Sequence, residues 1–261
     1  MLGEAYAMKN RVLLELARIE RQHKVRVLLA VESGSRAWGF ASPDSDYDIR
    51  FIYAHEQDWY LSVFEARDVI EEMLPEQLDL SGWDLRKTLR LFSKCNLALN
   101  EWLGSPIIYS EAPEFRNRLA QLIPHYFNPI AAMHHYRSKA GRALVENLVD
   151  DRIVIKRLFY ILRPLLACRW IQHTVTQPPT EFEKLAMPAW VNADEKNWMG
   201  GLLEQKSMAF EAQAIPLDQA RVDSIRSELD RHQLAELFAA PARSNAAELD
   251  KVFREWTEKG L

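Results

Sequence analysis

Apolar and polar positions predict three strands in the first half of the chain. Two runs, Val25–Val31 and Ile49–Tyr53, are rich in β-branched and aromatic residues, as strands are. A third, shorter strand is predicted at Leu78–Leu80, where Asp79 stands between two leucines. Successive strand residues point to opposite faces of a sheet, so both leucines would face the core and Asp79 the other side.

Helical periodicity surrounds these strands. Residues 5–23 form an amphipathic pattern before the first strand, and residues 58–73 predict one or two short helices. Ser81 is predicted to cap the N-terminus of a further helix, and Asp84, three residues later, would bond back to its main chain in a capping box. The SPIIY segment at 105–109 predicts a short edge strand. This order is typical of an α+β domain with a mixed β-sheet.

Beyond Pro124 the pattern has helical period throughout, and Pro124 and Pro129 mark a boundary. We therefore predict two domains, an α+β domain at 1–123 and an all-helical C-terminal domain at 124–261. The helices of the second domain are predicted at about 129–149, 152–175, 194–210, 217–239 and 245–258.

Composition describes an ordinary globular chain. Hydrophobic residues make up 48% and charged residues 27%, which argues against disorder. Cys95 and Cys168 are far apart and lack metal-binding spacing, so we expect reduced core thiols. No run is apolar enough to span a bilayer, and the N-terminus lacks the pattern of a secretion signal. We expect a cytoplasmic protein without membrane contact.

The most informative stretch is GSRAWGFASPDSDYDIRFIY, from Gly34 to Tyr53. Ten residues separate Ser35 from Asp46, and Asp46 and Asp48 share one strand face with Cα atoms roughly 6.5–7 Å apart. Two such carboxylates suit Mg²⁺, which takes the rest of its ligands from water and phosphate. Gly34 lets backbone N–H groups approach a phosphate closely, and the Ser35 hydroxyl can donate to it.

Other motifs of similar composition do not fit. Counted from Asp44, a calcium-binding EF-hand would need glycine and glutamate where Ile49 and His55 stand. The lysine of a P-loop and the three glycines of a dinucleotide-binding turn are also missing from this stretch. An acidic turn that only solvates the start of a strand remains an alternative for the two aspartates.

The Gly-Ser turn, the ten-residue spacing and the D-x-D pair resemble the signature of the nucleotidyltransferase superfamily, which has the DNA polymerase β fold. That superfamily needs a third carboxylate on a following strand, and Asp79 in QLDLSGWDL matches it. Together with NLALNEWLGSPIIY and LFYILRPLLACRWI, residues 25–175 are similar to predicted nucleotidyltransferases found beside RNA ligases.

The resemblance implies metal-assisted nucleotidyl transfer, in which a hydroxyl attacks the α-phosphorus of a nucleoside triphosphate such as ATP. It implies two Mg²⁺ ions and an RNA ligase as an associated protein. The metal-binding and catalytic residues would be Asp46, Asp48 and Asp79, with Asp79 completing one ion site or acting as general base. The phosphates would be held by Gly34, Ser35 and Arg36.

A polar stripe on the helix at 152–175 is the second candidate. Lys156, Tyr160 and Arg163 lie with Arg152 within roughly 80° of its circumference, whereas apolar residues cover the other faces. In the superfamily that the chain resembles, a helical domain closes over the triphosphate with basic and aromatic side chains. We therefore expect Lys156, Tyr160 and Arg163 to bind the triphosphate, in one cleft with Ser35.

An RNA end is the acceptor that we expect. Residues 137–169 carry eight Lys and Arg against three acids, and Lys87, Arg90 and Lys94 share a helix face. Trp38 and Tyr160 are candidates for stacking on bases. Solvated helix faces would explain the same charges. Two other functions remain open: an antitoxin that modifies or masks a protein, and a catalytically silent relative that binds nucleotides or RNA.

Overall fold

The computed structural model describes residues 2–208, 213–231 and 245–258, with side chains from Tyr6 onward. Its strands are β1 Val25–Glu32, β2 Tyr47–His55, β3 Val69–Leu74, β4 Leu78–Asp84, β5 Ile108–Glu111, β6 Arg152–Val154 and β7 Ala214–Pro216. Its helices are α1 Leu2–His23, α2 Gly34–Trp38, α3 Gln57–Tyr60, α4 Leu85–Phe92, α5 Leu97–Leu103, α6 Phe115–Tyr126, α7 Pro129–Asn147, α8 Ile155–Thr174, α9 Phe182–Ala186, α10 Ala193–Met208, α11 Gln219–Arg231 and α12 Ala246–Thr257.

A mixed sheet forms the centre of the first half, as predicted. Among the described residues it has five strands in the order β3-β4-β2-β1-β5. The pairs β1–β2, β1–β5 and β3–β4 are antiparallel, whereas β2 and β4 run parallel. The parallel pair requires a crossover between β2 and β4, and the chain uses it to place α3 and the edge strand β3.

Alternation along the strands divides the core of this sheet between its two faces. On β2, Ile49, Phe51 and Tyr53 belong to one apolar cluster, which Val12, Leu16 and Ile19 of α1 cover. Ile52 and Ala54 belong to another, which residues of α4, α5, α6 and α12 cover. Because Asp48 and Arg50 are four and two residues before Ile52, they share its face of the sheet.

Contacts between Cα atoms divide the chain into two units that differ from the predicted domains. The first unit contains the described residues of 2–37, 46–126 and 245–258, and the second those of 38–45, 127–208 and 213–231. Helix α12 belongs to the first unit because Leu249, Val252 and Trp256 are buried in its core. The loop at 38–45 belongs to the second unit, where Phe40 is buried among side chains of α7, α8 and α9.

The second unit is mainly helical, but it is not all-helical as predicted. The strands β6 and β7 pair antiparallel over three residues each. Three residues are too few to show strand alternation in the sequence. The helix predicted at 152–175 begins instead at Ile155, and Arg152 lies in β6. The predicted ends at 210 and 239 of two further helices lie outside the described residues.

Two details of the first unit also correct the sequence prediction. Residues 58–73 contain a strand, β3, in addition to the short helix α3. Strand β4 continues past Ser81 to Asp84, and Asp84 rather than Ser81 caps α4 by accepting from the N–H of Arg86. The small residues Ser81 and Gly82 hid the strand in the sequence, although Gly82 is needed there because a Cβ would come 2.1 Å from the Phe51 ring.

Two further expectations concern the cysteines and the membrane. Cys95 and Cys168 are buried thiols and form no disulfide bond, as predicted. Among the helices that the structure describes, none has the length and apolar character needed to cross a membrane.

Candidate active site

Asp48 and Asp79 lie beside each other on the two parallel strands. Asp48 on β2 is the direct register partner of Asp79 on β4. The side chain of Arg50, two residues after Asp48 on the same face, reaches both carboxylates. Its Nη2 donates to Oδ1 of Asp48 at 3.0 Å and to Oδ2 of Asp79 at 2.8 Å. The structure thus brings together two of the three predicted carboxylates, with one guanidinium joining them.

Asp46 stands just before β2 and is exposed. Its main-chain carbonyl accepts from Nε of Arg36 at 3.1 Å, and the Arg36 guanidinium lies 3.7 Å from the centre of the Tyr47 ring. Within the described parts of the chain, no group of three or more His, Cys, Asp or Glu side chains could hold a metal ion. A three-aspartate metal site therefore stays a prediction.

The donor set nevertheless fits Mg²⁺. The carboxylate oxygens of Asp48 and Asp79 are hard donors, and one oxygen of each accepts a hydrogen bond from the same cationic nitrogen, Nη2 of Arg50. Mg²⁺ is commonly bound through one or two carboxylates, with water and substrate phosphate completing its shell. Both carboxylates are partly open to solvent, at 29% and 28% side-chain exposure, so a cation from solution can reach them.

The turn at Gly34 packs directly on Asp48. Gly34 has φ of +59°, and a Cβ at this position would lie 2.1 Å from Oδ2 of Asp48. The N–H of Ser33 also donates to the carbonyl of Asp48 at 2.8 Å. Ser35, which we predicted to offer its hydroxyl to a phosphate, is 5% exposed. A residue without Cβ is therefore required here by both the backbone conformation and the neighbouring carboxylate.

Glu32 is a residue of this site that the sequence analysis missed. It is the last residue of β1 and has no solvent exposure. One carboxylate oxygen accepts from the N–H of Asp48 at 2.7 Å, and the other accepts from the Tyr109 hydroxyl at 2.5 Å. Burial raises the pKa of the Glu32 carboxyl to about 7, although both hydrogen bonds act to lower it. An acid directly after a buried apolar strand and two residues before Gly34 was the available signal.

In the second unit, cations and aromatic rings surround Trp38. The Tyr160 ring meets it edge-on with centroids 5.6 Å apart. The Arg163 guanidinium carbon lies 4.6 Å and the Lys139 Nζ 5.1 Å from the Trp38 ring centre. Lys139 was not predicted, because its partner is about a hundred residues away in sequence. Cations at these distances from an indole are attracted by its ring.

The three predicted residues of α8 occupy different environments. Lys156 and Tyr160 are partly exposed, whereas Arg163 is only 2% exposed. Nε and Nη2 of Arg163 donate to the carbonyl of Thr180 at 3.1 and 3.0 Å. These contacts account for much of the hydrogen-bonding capacity of Arg163, and Lys156 and Tyr160 are the more accessible members of the stripe.

A buried lysine contacts the loop at 38–45 within the second unit. Lys206 of α10 has no solvent exposure, and its Nζ donates to the Ser42 hydroxyl at 2.5 Å. The Ser42 hydroxyl lies 3.2 Å from the Ser45 hydroxyl, and the N–H of Ser42 donates to that same Ser45 oxygen. Ser45 directly precedes Asp46 in the chain.

Several bases that were candidates for RNA contact have acidic or main-chain partners. Lys87 pairs with Asp68 at 2.9 Å, and Arg90 lies 3.8 Å from Glu65. Lys94 is exposed. In the strip at 137–169, the bases with partners include Arg137, which donates to the carbonyl of Leu229, and Arg169, which pairs with Glu195 and Glu228.

Comparison with known proteins gives a family match over most of the chain. Residues 8–255 match the family model RlaP, described as RNA repair pathway DNA polymerase beta family. The chain is 42% identical over 257 residues to the uncharacterized protein YcgL of Bacillus subtilis (strain 168), and the match covers 97% of each chain.

A structural comparison pairs the chain with a nucleotidyltransferase-like protein from Exiguobacterium sibiricum 255-15, covering 94% of this chain and 79% of that one. The sequence identity is 12% and the TM-score is 0.31.

Proposed function

Because the chain belongs to the RNA repair pathway DNA polymerase beta family, we propose that it is a magnesium-dependent nucleotidyltransferase acting on an RNA end. It would join a nucleoside monophosphate from a nucleoside triphosphate to an acceptor hydroxyl, with pyrophosphate as the leaving group. The observation that supports this most directly is the register of β2 and β4, which places Asp48 beside Asp79 next to the Gly34 turn.

The aspartates supply the acidic groups that this reaction needs. Asp48 and Asp79 would hold the metal through carboxylate oxygens, with Asp46 adding its own from the start of β2. Bound Mg²⁺ supplies charge neutralisation at the phosphates and lowers the pKa of the attacking hydroxyl. Asp79 is also the carboxylate that we propose to accept the proton of that hydroxyl. Arg50 supplies a positive charge at the same point, next to both carboxylates.

The phosphates would be bound by the turn and by basic side chains. At Gly34 and Ser35 the main-chain N–H groups are the donors we assign, because the Ser35 side chain is buried. Arg36 adds a guanidinium next to Asp46. On α8, Lys156 and Tyr160 would contact the triphosphate, and Arg163 would support them by holding Trp38 against Tyr160.

An RNA end is supported as acceptor by the family description, which places these proteins in RNA repair. A repaired end would receive its nucleotide before an RNA ligase seals it, so a ligase is the expected functional partner. Binding to RNA should weaken with salt, with a slope near −0.7 per phosphate neutralised on a single strand. Since Lys87, Arg90 and Arg169 have acidic partners, we expect a shallow slope.

The test is a labelling experiment with purified protein, Mg²⁺, each α-labelled nucleoside triphosphate, and a mixture of total RNA and lysate proteins. Label that appears on RNA and is removed by nuclease supports the proposal. Chelation of Mg²⁺ and the Asp48→Asn variant should both abolish it, while the exposed control Asp58→Asn should not.

The other two functions are outcomes of the same experiment. Label on protein that survives nuclease would overturn the RNA acceptor in favour of a modifying antitoxin. A Mg²⁺-dependent thermal shift with nucleoside triphosphates but no label on any molecule would indicate a catalytically silent relative.

A further inference from the structure

The buried carboxylate of Glu32 contacts the main chain of a catalytic aspartate without being able to contact substrate. Its side chain has no solvent exposure, and its oxygens accept from the N–H of Asp48 and from the hydroxyl of Tyr109. Its main chain is held as well, because its N–H donates to Ile107 and its carbonyl accepts from Ser105. Burying a carboxylate costs folding free energy unless hydrogen-bond donors satisfy its oxygens, so buried carboxylates are uncommon.

The β1–β2 ladder explains why a side chain is needed at this point. Glu32 pairs with Ile49, and beyond it the N–H of Ser33 donates to the carbonyl of Asp48. A regular antiparallel pair would return a bond from Asp48 to Ser33, but the chain turns at Gly34 and the N–H of Asp48 bonds to the Glu32 carboxylate instead. The side chain of Glu32 thus supplies the last hydrogen bond of the β1–β2 ladder, and it does so at Asp48, the proposed metal ligand.

We propose that Glu32 is a positioning residue for Asp48, and that Tyr109 fixes Glu32 in that role. By holding the N–H of Asp48, Glu32 sets the direction of the Asp48 carboxylate toward Asp79 and against Gly34. Groups that orient a metal ligand commonly change metal affinity or activity by about 10–100-fold when they are removed. This inference rests on the proposed function, because it concerns the same metal-binding aspartate.

Three variants separate positioning from simple support of the fold. Glu32→Leu removes the acceptor for the N–H of Asp48. Glu32→Gln keeps one acceptor oxygen for it, and its amide N–H can donate to the Tyr109 oxygen. Tyr109→Phe removes the hydroxyl that holds Glu32 but leaves the carboxylate. Val31→Ala, in the same strand and fully buried, controls for a general loss of stability.

Two quantities are measured for each variant: kcat at saturating triphosphate with its Mg²⁺ dependence, and the Mg²⁺-dependent shift of Tm without nucleotide. We expect Glu32→Leu to lower kcat about 100-fold and to raise the half-saturating Mg²⁺ concentration about tenfold in both readouts. Tyr109→Phe should raise that concentration about threefold, and Glu32→Gln should stay within about threefold of the parent. Both changes are smaller than the one expected for Glu32→Leu, because each variant keeps an acceptor for the N–H of Asp48.

The inference is overturned if Glu32→Leu binds Mg²⁺ and reacts like Val31→Ala while the parent protein is active. If Glu32→Leu does not fold, Tyr109→Phe provides the test. An unchanged half-saturating Mg²⁺ concentration in Tyr109→Phe overturns the inference. A rise in that concentration that Val31→Ala does not show supports it. A parent protein with neither transfer nor a Mg²⁺-dependent Tm shift would overturn the proposed function itself.

Discussion

Asp48 and Asp79 are direct partners in the register of two parallel strands, and both carboxylates accept from the same nitrogen of Arg50. Asp48→Asn or Asp79→Asn should therefore abolish nucleotidyl transfer, as should Asp46→Asn, while the fold persists. The free energy of unfolding should change by less than about 1 kcal/mol, because both carboxylates are partly solvated and Arg50 keeps one partner. Activity with labelled triphosphate and urea unfolding of the same preparations measure the two effects. Transfer by Asp79→Asn at the parent rate would remove Asp79 from the site.

The position of Arg50 between two carboxylates leads to a prediction about the stability of the metal-free protein. Without its guanidinium, two neighbouring carboxylates repel each other, so Arg50→Met should lower the free energy of unfolding by about 1–2 kcal/mol in the presence of a chelator. Mg²⁺ should restore much of this loss, because it can supply the missing positive charge. Denaturant unfolding with and without Mg²⁺ measures the difference. A variant whose stability is equally low in both conditions would argue against a cation site between Asp48 and Asp79.

Gly34 and Gly39 form a matched pair for testing the turn. Both have positive φ, +59° and +85°, so alanine strains the backbone at either position. Only at Gly34 would the new Cβ collide with Asp48; at Gly39 no atom lies within 4 Å. Each substitution should cost about 1 kcal/mol of stability from the backbone, and Gly34→Ala should also reduce kcat at least 100-fold. Equal activity in the two variants would show that the contact between the turn and Asp48 does not matter for catalysis.

Local patterns in the sequence were enough to predict β1, β2 and the carboxylates on β2 and β4, but not the short helix α2 at the start of the segment between β1 and β2. Alternation within a few residues correctly predicted Asp48 and Asp79 on their strands, whereas Asp46, predicted to share a strand face with Asp48, stands just before β2. Glu32 was missed because its partner Tyr109 is 77 residues away and its own position looks like an ordinary strand end. Long-range pairing decides such contacts, and no local periodicity reports it.

The same reason explains why the two units differ from the predicted domains. Lys206 reaches Ser42 across 164 residues, so the assignment of the loop at 38–45 to the second unit could not follow from a boundary at Pro124. Helix α12 joins the first unit for a similar reason, since the carbonyl of Trp256 accepts from Arg26, 230 residues earlier. A prediction that cuts the chain at one point cannot describe units built from separate segments.

His55 predicts a pH dependence of stability. Burial lowers its pKa from 6.5 to about 4, and its ring stacks on Trp59 with centroids 3.8 Å apart. Between these values the unfolded chain binds a proton that the folded protein does not, so stability is complete above about pH 6.5 and falls as the pH drops toward 4. After allowance for solvent screening of a partly exposed ring, we expect a loss of about 2 kcal/mol.

The variant His55→Phe isolates this contribution, because it keeps an aromatic ring against Trp59 and cannot take up a proton. The difference in unfolding free energy between the parent and His55→Phe, measured by urea titration at pH 7.5 and pH 5, should move in favour of the variant at the lower pH. A difference that stays constant between the two pH values would contradict the prediction.

Lys156 and Arg163 should respond differently to substitution, although they share one stripe of α8. Lys156 is partly exposed, and triphosphate contacts are present in the ground state as well as in the transition state. Lys156→Ala should therefore raise KM for the triphosphate about tenfold and leave kcat within about threefold. Arg142→Ala, an exposed base on α7, controls for the loss of one positive charge and should change neither constant.

Arg163→Met should instead reduce stability, because the buried guanidinium donates twice to the carbonyl of Thr180 and lies over the Trp38 ring. Loss of these contacts should cost about 3 kcal/mol of unfolding free energy. Thermal unfolding followed by circular dichroism measures it, and steady-state kinetics below the new Tm separate the structural effect from a binding effect. If Arg163→Met keeps the parent Tm but raises KM as much as Lys156→Ala does, Arg163 contacts the triphosphate directly, as the sequence pattern predicts, and its bonds to Thr180 exchange for phosphate when substrate binds.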